Sequence, residues 1–156
     1  MNFEKKLSVI NIELNQNTEV TAEKYVFIVV DDESFIRSAV RRVITTELKS
    51  TNKYIDLTII EADDGLECLL ALYLANKMNI KINAIISDET MPFISGSQSS
   101  KIIEDLISRG TINKVNMFIS TALNDSITIG KYSQIVKKVY PKPLNKNSVN
   151  DILKQI

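Results

Sequence analysis

The sequence YVFIVVDDE, residues 25–33, gives the strongest indication of how this chain folds. Its six uninterrupted apolar and aromatic residues are typical of a strand that is buried on both faces, as in parallel sheets. The run ends abruptly in Asp31, Asp32 and Glu33. We therefore predict a central parallel strand, Tyr25 to Val30, that carries acidic residues at its carboxyl end.

After this strand, apolar runs of strand length alternate with stretches in which apolar residues recur every three or four positions. The further predicted strands are 55–61, 82–87, 115–119 and 135–140, and the predicted helices are 34–48, 65–76, 97–109, 124–133 and 147–156. In the second helix we expect these residues to face the core: Leu66, Leu69, Leu70, Tyr73 and Leu74. Five strand–helix units in strict alternation predict an α/β fold, a (βα)5 doubly wound, flavodoxin-like parallel sheet with strand order 2-1-3-4-5.

The beginning of the chain differs in character from the rest. Residues 1–22 are polar, Asn-rich and weakly patterned, whereas the regular alternation of strands and helices begins near residue 23. We interpret residues 1–22 as a leader or linker that is partly disordered, and residues 23–156 as one domain.

Composition excludes several classes of function. The chain has 19 Lys+Arg, 19 Asp+Glu and no dense basic stripe, so we expect no direct nucleic-acid partner. It has no histidine, which excludes histidine-based zinc sites, Ser-His-Asp triads and Cys-His dyads. Its apolar stretches are short, which predicts no membrane insertion. The single cysteine, Cys68, cannot form an intrachain disulfide, which favours a reducing, cytoplasmic location.

Polar residues whose side chains can take part in a reaction or bind a ligand follow four of the predicted strands. Asp31 and Asp32 follow the first strand, Asp88 the third, Thr121 the fourth and Lys142 the fifth. Ligands of open α/β sheets bind outside these carboxyl ends. Three clustered carboxylates repel one another unless a hard cation such as Mg²⁺ joins them. A lysine and a hydroxyl at the same point suit phosphoryl transfer, for which a carboxylate is a feasible nucleophile.

Taken singly, each residue also has an ordinary structural explanation. An aspartate after a strand often caps the following helix, and this capping role is available to both Asp32 and Asp63. Lys142 stands between two prolines, a setting typical of solvated turns. Tyr140 fits either the core or an exposed interaction surface, and Cys68 is expected to fill the core. These separate explanations do not account for the order in which the strand-end residues occur.

Four motifs resemble, in order and approximate spacing, those of response-regulator receiver domains from two-component, His-to-Asp phosphorelay systems: VFIVVDDE, IISDETMPFISG, ISTA and YPKP. The segment EADDGLECL is similar to that family's second strand end, and the resemblance covers about residues 24–156. It implies a signalling module rather than a conventional enzyme. Such a module takes a phosphoryl group from a histidine kinase or histidine phosphotransfer protein and changes conformation toward an effector, here unknown.

The resemblance also implies a role for each site residue. Asp88 would be the phosphoacceptor, and Mg²⁺ would be bound by Asp31, Asp32, Asp88 and the backbone carbonyl of Thr90. Thr121 would be the hydroxyl that moves toward the phosphoryl group. Lys142 would pair with the phosphoryl oxygens and would precede a cis peptide bond to Pro143.

The chain departs from the family pattern at Val139, Ser95 and Pro141, and the first of these bears on the conformational switch. The family places an aromatic residue three positions before the lysine, where this chain has Val139. Tyr140 is adjacent, but the two-residue period of a strand directs it to the opposite face. Two alternative functions stay open: a receiver-like interaction scaffold without phosphate switching, which the missing aromatic residue favours, and an aspartate-nucleophile phosphatase, whose DxDx[TV] spacing the sequence DDES lacks.

Overall fold

The computed structural model describes residues 22–51, 54–122 and 132–156. Within these ranges the strands are β1 (Glu23–Val30), β2 (Ile55–Ala62), β3 (Ala84–Ser87), β4 (Asn116–Thr121) and β5 (Val136–Pro141). The helices are α1 (Ser34–Thr51), α2 (Gly65–Lys77), α3 (Gly96–Ser108) and α4 (Lys146–Leu153). The leader, 1–22, lies outside the described residues except for its last residue. The predicted helix 124–133 also lies outside them, except for Tyr132 and Ser133, which are not helical.

The five strands form one parallel sheet in the order β2-β1-β3-β4-β5, which confirms the predicted doubly wound, flavodoxin-like topology. Its register determines which residues leave the sheet together. Val30 lies opposite Ser87, so the next residues, Asp31 and Asp88, emerge side by side from β1 and β3. In the same way, the pairing of β4 with β5 continues to the last residue of each strand. The chain that leaves β5 therefore starts next to Thr121.

Hydrophobic residues are buried on both faces of the sheet. One apolar cluster lies on the side of α2 and α3, and the other lies on the side of α1 and α4. Val139 packs against the first cluster, whereas Tyr140 is buried in the second, with its ring 6.4 Å from that of Phe118. The predicted opposite orientation of these neighbours is therefore confirmed, and Tyr140 is a core residue.

The inward face of α2 differs from the prediction. Leu66, Leu70 and Tyr73 are 55%, 45% and 41% exposed, so their predicted orientation toward the core is wrong. The face that packs on the sheet consists mainly of small residues: Gly65, Cys68, Ala71, Leu72 and Ala75. Because α2 is apolar on nearly all sides, its pattern does not set the phase of the helix, and small side chains allow the closest approach to the sheet.

Apart from the helix 124–133, the other predicted elements are present, with ends displaced by a few residues. Cys68 is buried, as expected for a residue that fills the core. Among the helices of the described ranges, none combines the length and the apolar character that a bilayer span requires.

Candidate functional site

Three carboxylates meet at the carboxyl ends of β1 and β3. Asp31, Asp32 and Asp88 each offer an oxygen atom, and these atoms lie within 4.8 Å of one another. Asp31 and Asp88 are buried, whereas Asp32 is exposed. Oxygen donors are the ligands that a hard divalent cation prefers, and the mutual repulsion of the carboxylates favours its binding. The donor set therefore fits the magnesium ion that the sequence predicts.

Lys142 reaches this cluster from the end of β5. Its Nζ atom lies 2.7 Å from Asp31 Oδ2 and 2.9 Å from Asp88 Oδ2, and its side chain is only 17% exposed. Burial disfavours its charge, but the hydrogen bonds and charges of Asp31 and Asp88 outweigh that effect and raise the pKa of Lys142 above the usual 10.5. Lys142 is thus a cation of the site, and the explanation of a solvated turn residue is wrong.

Two features define the backbone around Lys142. Its N–H donates to the carbonyl oxygen of Thr121 over 2.9 Å, and the Lys142–Pro143 peptide bond is cis, as the resemblance implied. Thr121 itself is buried at the end of β4. Thr90 lies exposed in the loop that follows Asp88. The roles assigned to the hydroxyl of Thr121 and the carbonyl of Thr90 stay predictions.

A buried arginine, which sequence patterning did not single out, supports the acidic pair. Arg37 of α1 donates through Nη1 to the backbone carbonyl of Asp31. Its other nitrogens pair with Glu61 at 3.4 Å and with Asp63 at 2.8 Å. We call these three contacts the Arg37 clamp, and we expect them to fix the end of β1 relative to the end of β2. In the sequence, Arg37 looks like the other arginines of α1, and only the acidic residues at the end of β2 indicate a partner.

The same contacts revise the capping explanation for Asp63. The residue that caps α2 is its neighbour Asp64, whose carboxylate accepts a hydrogen bond from the backbone N–H of Glu67 over 2.9 Å. Asp63 pairs with Arg37 instead. Capping by Asp63 is therefore wrong by one position.

Glu89 is a second residue that the sequence did not single out. It is buried directly after Asp88, and its backbone N–H donates to Asp88 Oδ1 over 2.7 Å. Its carboxylate accepts hydrogen bonds from the backbone N–H of Ser97 over 2.9 Å and from the Ser97 hydroxyl over 2.8 Å. Glu89 thus connects Asp88 to the first turn of α3. An acidic residue in a strand-end loop is usually exposed, so nothing in the sequence indicated its burial.

No protein-family model and no curated protein matches the sequence. Solved structures do match. The two-component response regulator from Cytophaga hutchinsonii has a TM-score of 0.72 and 17% identity, covering 85% of this chain and 96% of its own. The response regulator receiver protein from Pseudomonas putida has a TM-score of 0.67 and 17% identity, covering 87% and 100%. The chemotaxis protein CheY4 from Vibrio cholerae has a TM-score of 0.64 and 19% identity, covering 85% and 98%. The chain therefore has the receiver-domain fold.

Proposed function

We propose that this chain is a receiver domain in which Asp88 accepts a phosphoryl group from a phosphohistidine. Mg²⁺ would be held by Asp31, Asp32, Asp88 and the backbone carbonyl of Thr90. The observation that carries the proposal is the convergence of three carboxylates with the ammonium group of Lys142 at one edge of the sheet. Phosphoryl transfer depends on such positioning and charge neutralisation more than on acid–base groups.

The transfer exchanges one bond to phosphorus for another. An oxygen of Asp88 attacks the phosphorus atom while the bond from phosphorus to the donor imidazole nitrogen breaks. That nitrogen keeps the electron pair and takes up a proton. Bound Mg²⁺ would supply positive charge that neutralises the phosphoryl oxygens. This sequence contains no histidine, so the phosphohistidine lies outside it, in a histidine kinase or a histidine phosphotransfer protein.

The chain's own residues position the acceptor. Lys142 bonds Asp88 Oδ2 and is within reach of a phosphoryl oxygen once one is attached there. The N–H of Glu89 bonds the other oxygen, Oδ1, which limits rotation of the carboxylate. Thr121 lies beside Lys142 and would offer its hydroxyl to the phosphoryl group.

The similar solved structures support a signalling role, since they include response regulators, a chemotaxis protein and the receiver domain of the hybrid histidine kinase CckA. We infer that the module is not a conventional enzyme but assists its own phosphorylation and dephosphorylation. We place the module in the cytoplasm, where its buried free thiol would stay reduced. It binds an effector protein, still to be identified, and neither nucleic acid nor membrane.

Incubation with acetyl phosphate and Mg²⁺, followed by intact mass measurement, tests the proposal. A stable gain of one phosphoryl group supports a receiver domain. No gain in mass contradicts it and favours the interaction scaffold. Rapid turnover of an added phosphomonoester without a stable adduct contradicts it in favour of a phosphatase.

A further inference from the structure

The carboxylate of Glu89 occupies a buried position between the phosphoacceptor and α3. Two hydrogen bonds from Ser97, one from the backbone N–H and one from the hydroxyl, hold its oxygens at the first turn of the helix. A negative charge is favourable there because of the exposed N–H groups of a helix start. Glu89 is thereby fixed next to Asp88, to whose Oδ1 atom its own N–H donates.

The hydroxyl of Tyr132 also hydrogen-bonds the Glu89 side chain, from a different part of the chain. The tyrosine is half-buried and packs against the apolar cluster on the side of α2 and α3, as Met91 and Val139 do. The next residue, Ser133, is anchored to α3. Its N–H donates to Ser100 Oγ over 3.3 Å and its hydroxyl donates to the Ser100 carbonyl over 3.0 Å. Tyr132 thus stands just before β5 with its hydroxyl directed at the site.

The phenol of Tyr132 responds to the negative charges around it. Four effects raise the pKa of Tyr132 above the usual 10.0. Burial is the largest, followed by the charge of Glu89, the hydrogen bond to Glu89 and the charge of Asp88. The proton on the Tyr132 oxygen is therefore held more tightly when more negative charge lies near Asp88.

We propose that Glu89 couples the charge on Asp88 to Tyr132, so that a phosphoryl group on Asp88 strengthens the bond from the Tyr132 hydroxyl to Glu89 and draws the chain before β5 toward the site. The proposal rests on the proposed function for the source of the added charge. An aspartyl phosphate carries up to about one more negative charge than the carboxylate it replaces. Ser97 keeps the Glu89 carboxylate in place. When the charge on Asp88 changes, the hydroxyl of Tyr132 is therefore the group that moves relative to Glu89.

The test uses fluorine NMR of the full chain labelled with 3-fluorotyrosine, in which the resonance of Tyr132 is assigned with Tyr132→Phe. Asp88→Asn removes the negative charge of residue 88 without any phosphorylation. The shift that it causes in the Tyr132 resonance is measured in a chain that keeps Glu89 and in a chain that carries Glu89→Gln. We expect Asp88→Asn to shift the Tyr132 resonance, and Glu89→Gln to reduce that shift by at least about half. The exposed Tyr54 serves as the control and keeps its resonance.

Two results of this comparison would overturn the proposal: no shift of the Tyr132 resonance with Asp88→Asn, or an equal shift in both backgrounds. A second arm compares the chain in Mg²⁺ alone with the chain in Mg²⁺ and beryllofluoride, so that only the negative charge at Asp88 increases, and we expect a shift opposite in direction to that of Asp88→Asn. If beryllofluoride binds and the Tyr132 resonance stays in place, the coupling is wrong and the proposed function stands. If beryllofluoride does not bind, the proposed function fails, and the Asp88→Asn comparison still decides the coupling.

Discussion

Lys142 Nζ lies 2.9 Å from Asp88 Oδ2, although the two residues follow β5 and β3, which are separated in the sheet by β4. The contact is possible because the lysine side chain spans the end of the intervening strand, where its own backbone N–H is bonded to Thr121. The ammonium group therefore lies next to the oxygens that would carry the phosphoryl group.

The first prediction concerns this contact. Lys142→Met should weaken the binding of beryllofluoride, a phosphoryl mimic, by roughly tenfold to a hundredfold, since a hydrogen bond to a charged group contributes about 1.5–3 kcal/mol. Calorimetric titration in the presence of Mg²⁺ measures the effect. Lys138→Met is the matched control, because Lys138 lies on β5, the strand that Lys142 follows, in an exposed ion pair with Asp151 at 2.7 Å. Equal affinities of the two variants would contradict the role of Lys142.

The second prediction compares two arginines that share Glu61. Arg37 is buried and also bonds the Asp31 carbonyl, whereas Arg41 is half-exposed. Arg37→Met should lower the free energy of unfolding by about 2–3 kcal/mol and weaken Mg²⁺ binding, because the end of β1 loses its clamp. Arg41→Met should cost at most about 1 kcal/mol. Urea unfolding and Mg²⁺ titration give both quantities, and equal losses in the two variants would refute the clamp.

The third prediction is a pH dependence at Glu61. Burial alone would raise the pKa of its carboxyl group, but the ion pairs with Arg41 and then Arg37 lower it below the usual 4.5. Because the folded-state pKa lies below the unfolded one, Glu61 stabilises the fold fully above pH 4.5, and this contribution is lost as the pH falls through the folded value.

Urea unfolding of wild type and Glu61→Gln over a series of pH values tests this. The difference in unfolding free energy should be constant near neutral pH and should shrink below pH 4.5. A difference that persists or grows in acid would show that the ion pairs do not lower the pKa.

The fourth prediction concerns Gly96, the first residue of α3. A Cβ atom there would lie 2.5 Å from the carbonyl oxygen of Asp88 and 3.1 Å from Glu89 Oε2. Gly96→Ala should therefore displace the phosphoacceptor loop, destabilise the fold by about 1–3 kcal/mol and weaken beryllofluoride binding about tenfold.

Gly110→Ala is the control for that substitution. Gly110 follows α3 at its other end, with a φ of +69° and nothing within 4 Å of an added Cβ, so only backbone strain opposes alanine. We expect lower stability with unchanged beryllofluoride affinity. If Gly96→Ala also left the affinity unchanged, the packing of α3 against Asp88 would have no role in the site.

The strand ends could be predicted from the sequence because their pattern is local. Continuous apolar runs identify β1 and β3, and parallel topology then places Asp31 and Asp88 at one edge. The opposite orientation of Val139 and Tyr140 follows from the strand period in the same way. Each of these inferences needs only the order of residues and the geometry of a sheet.

The contacts that surround the site could not be predicted, since they depend on packing between distant segments. The burial of Arg37 requires the ends of β1 and β2 to lie together with α1, and the burial of Glu89 requires the start of α3 to approach Asp88. Tyr132 reaches Glu89 from the segment before β5, where its neighbour Ser133 is anchored on α3. The face of α2 also escaped prediction, because an almost wholly apolar helix has no polar side to orient it.

The assignment of Asp88 as a metal-dependent phosphoacceptor is tested by labelling a set of variants with and without metal. Wild type, Asp88→Asn, Asp32→Ala and the exposed control Asp105→Asn are incubated with a labelled phosphohistidine donor, with Mg²⁺ or with a chelator. We predict label in wild type and Asp105→Asn with Mg²⁺, much slower labelling of Asp32→Ala, and none in Asp88→Asn or with the chelator. Label that persists in Asp88→Asn, or that appears equally without metal, would contradict the account.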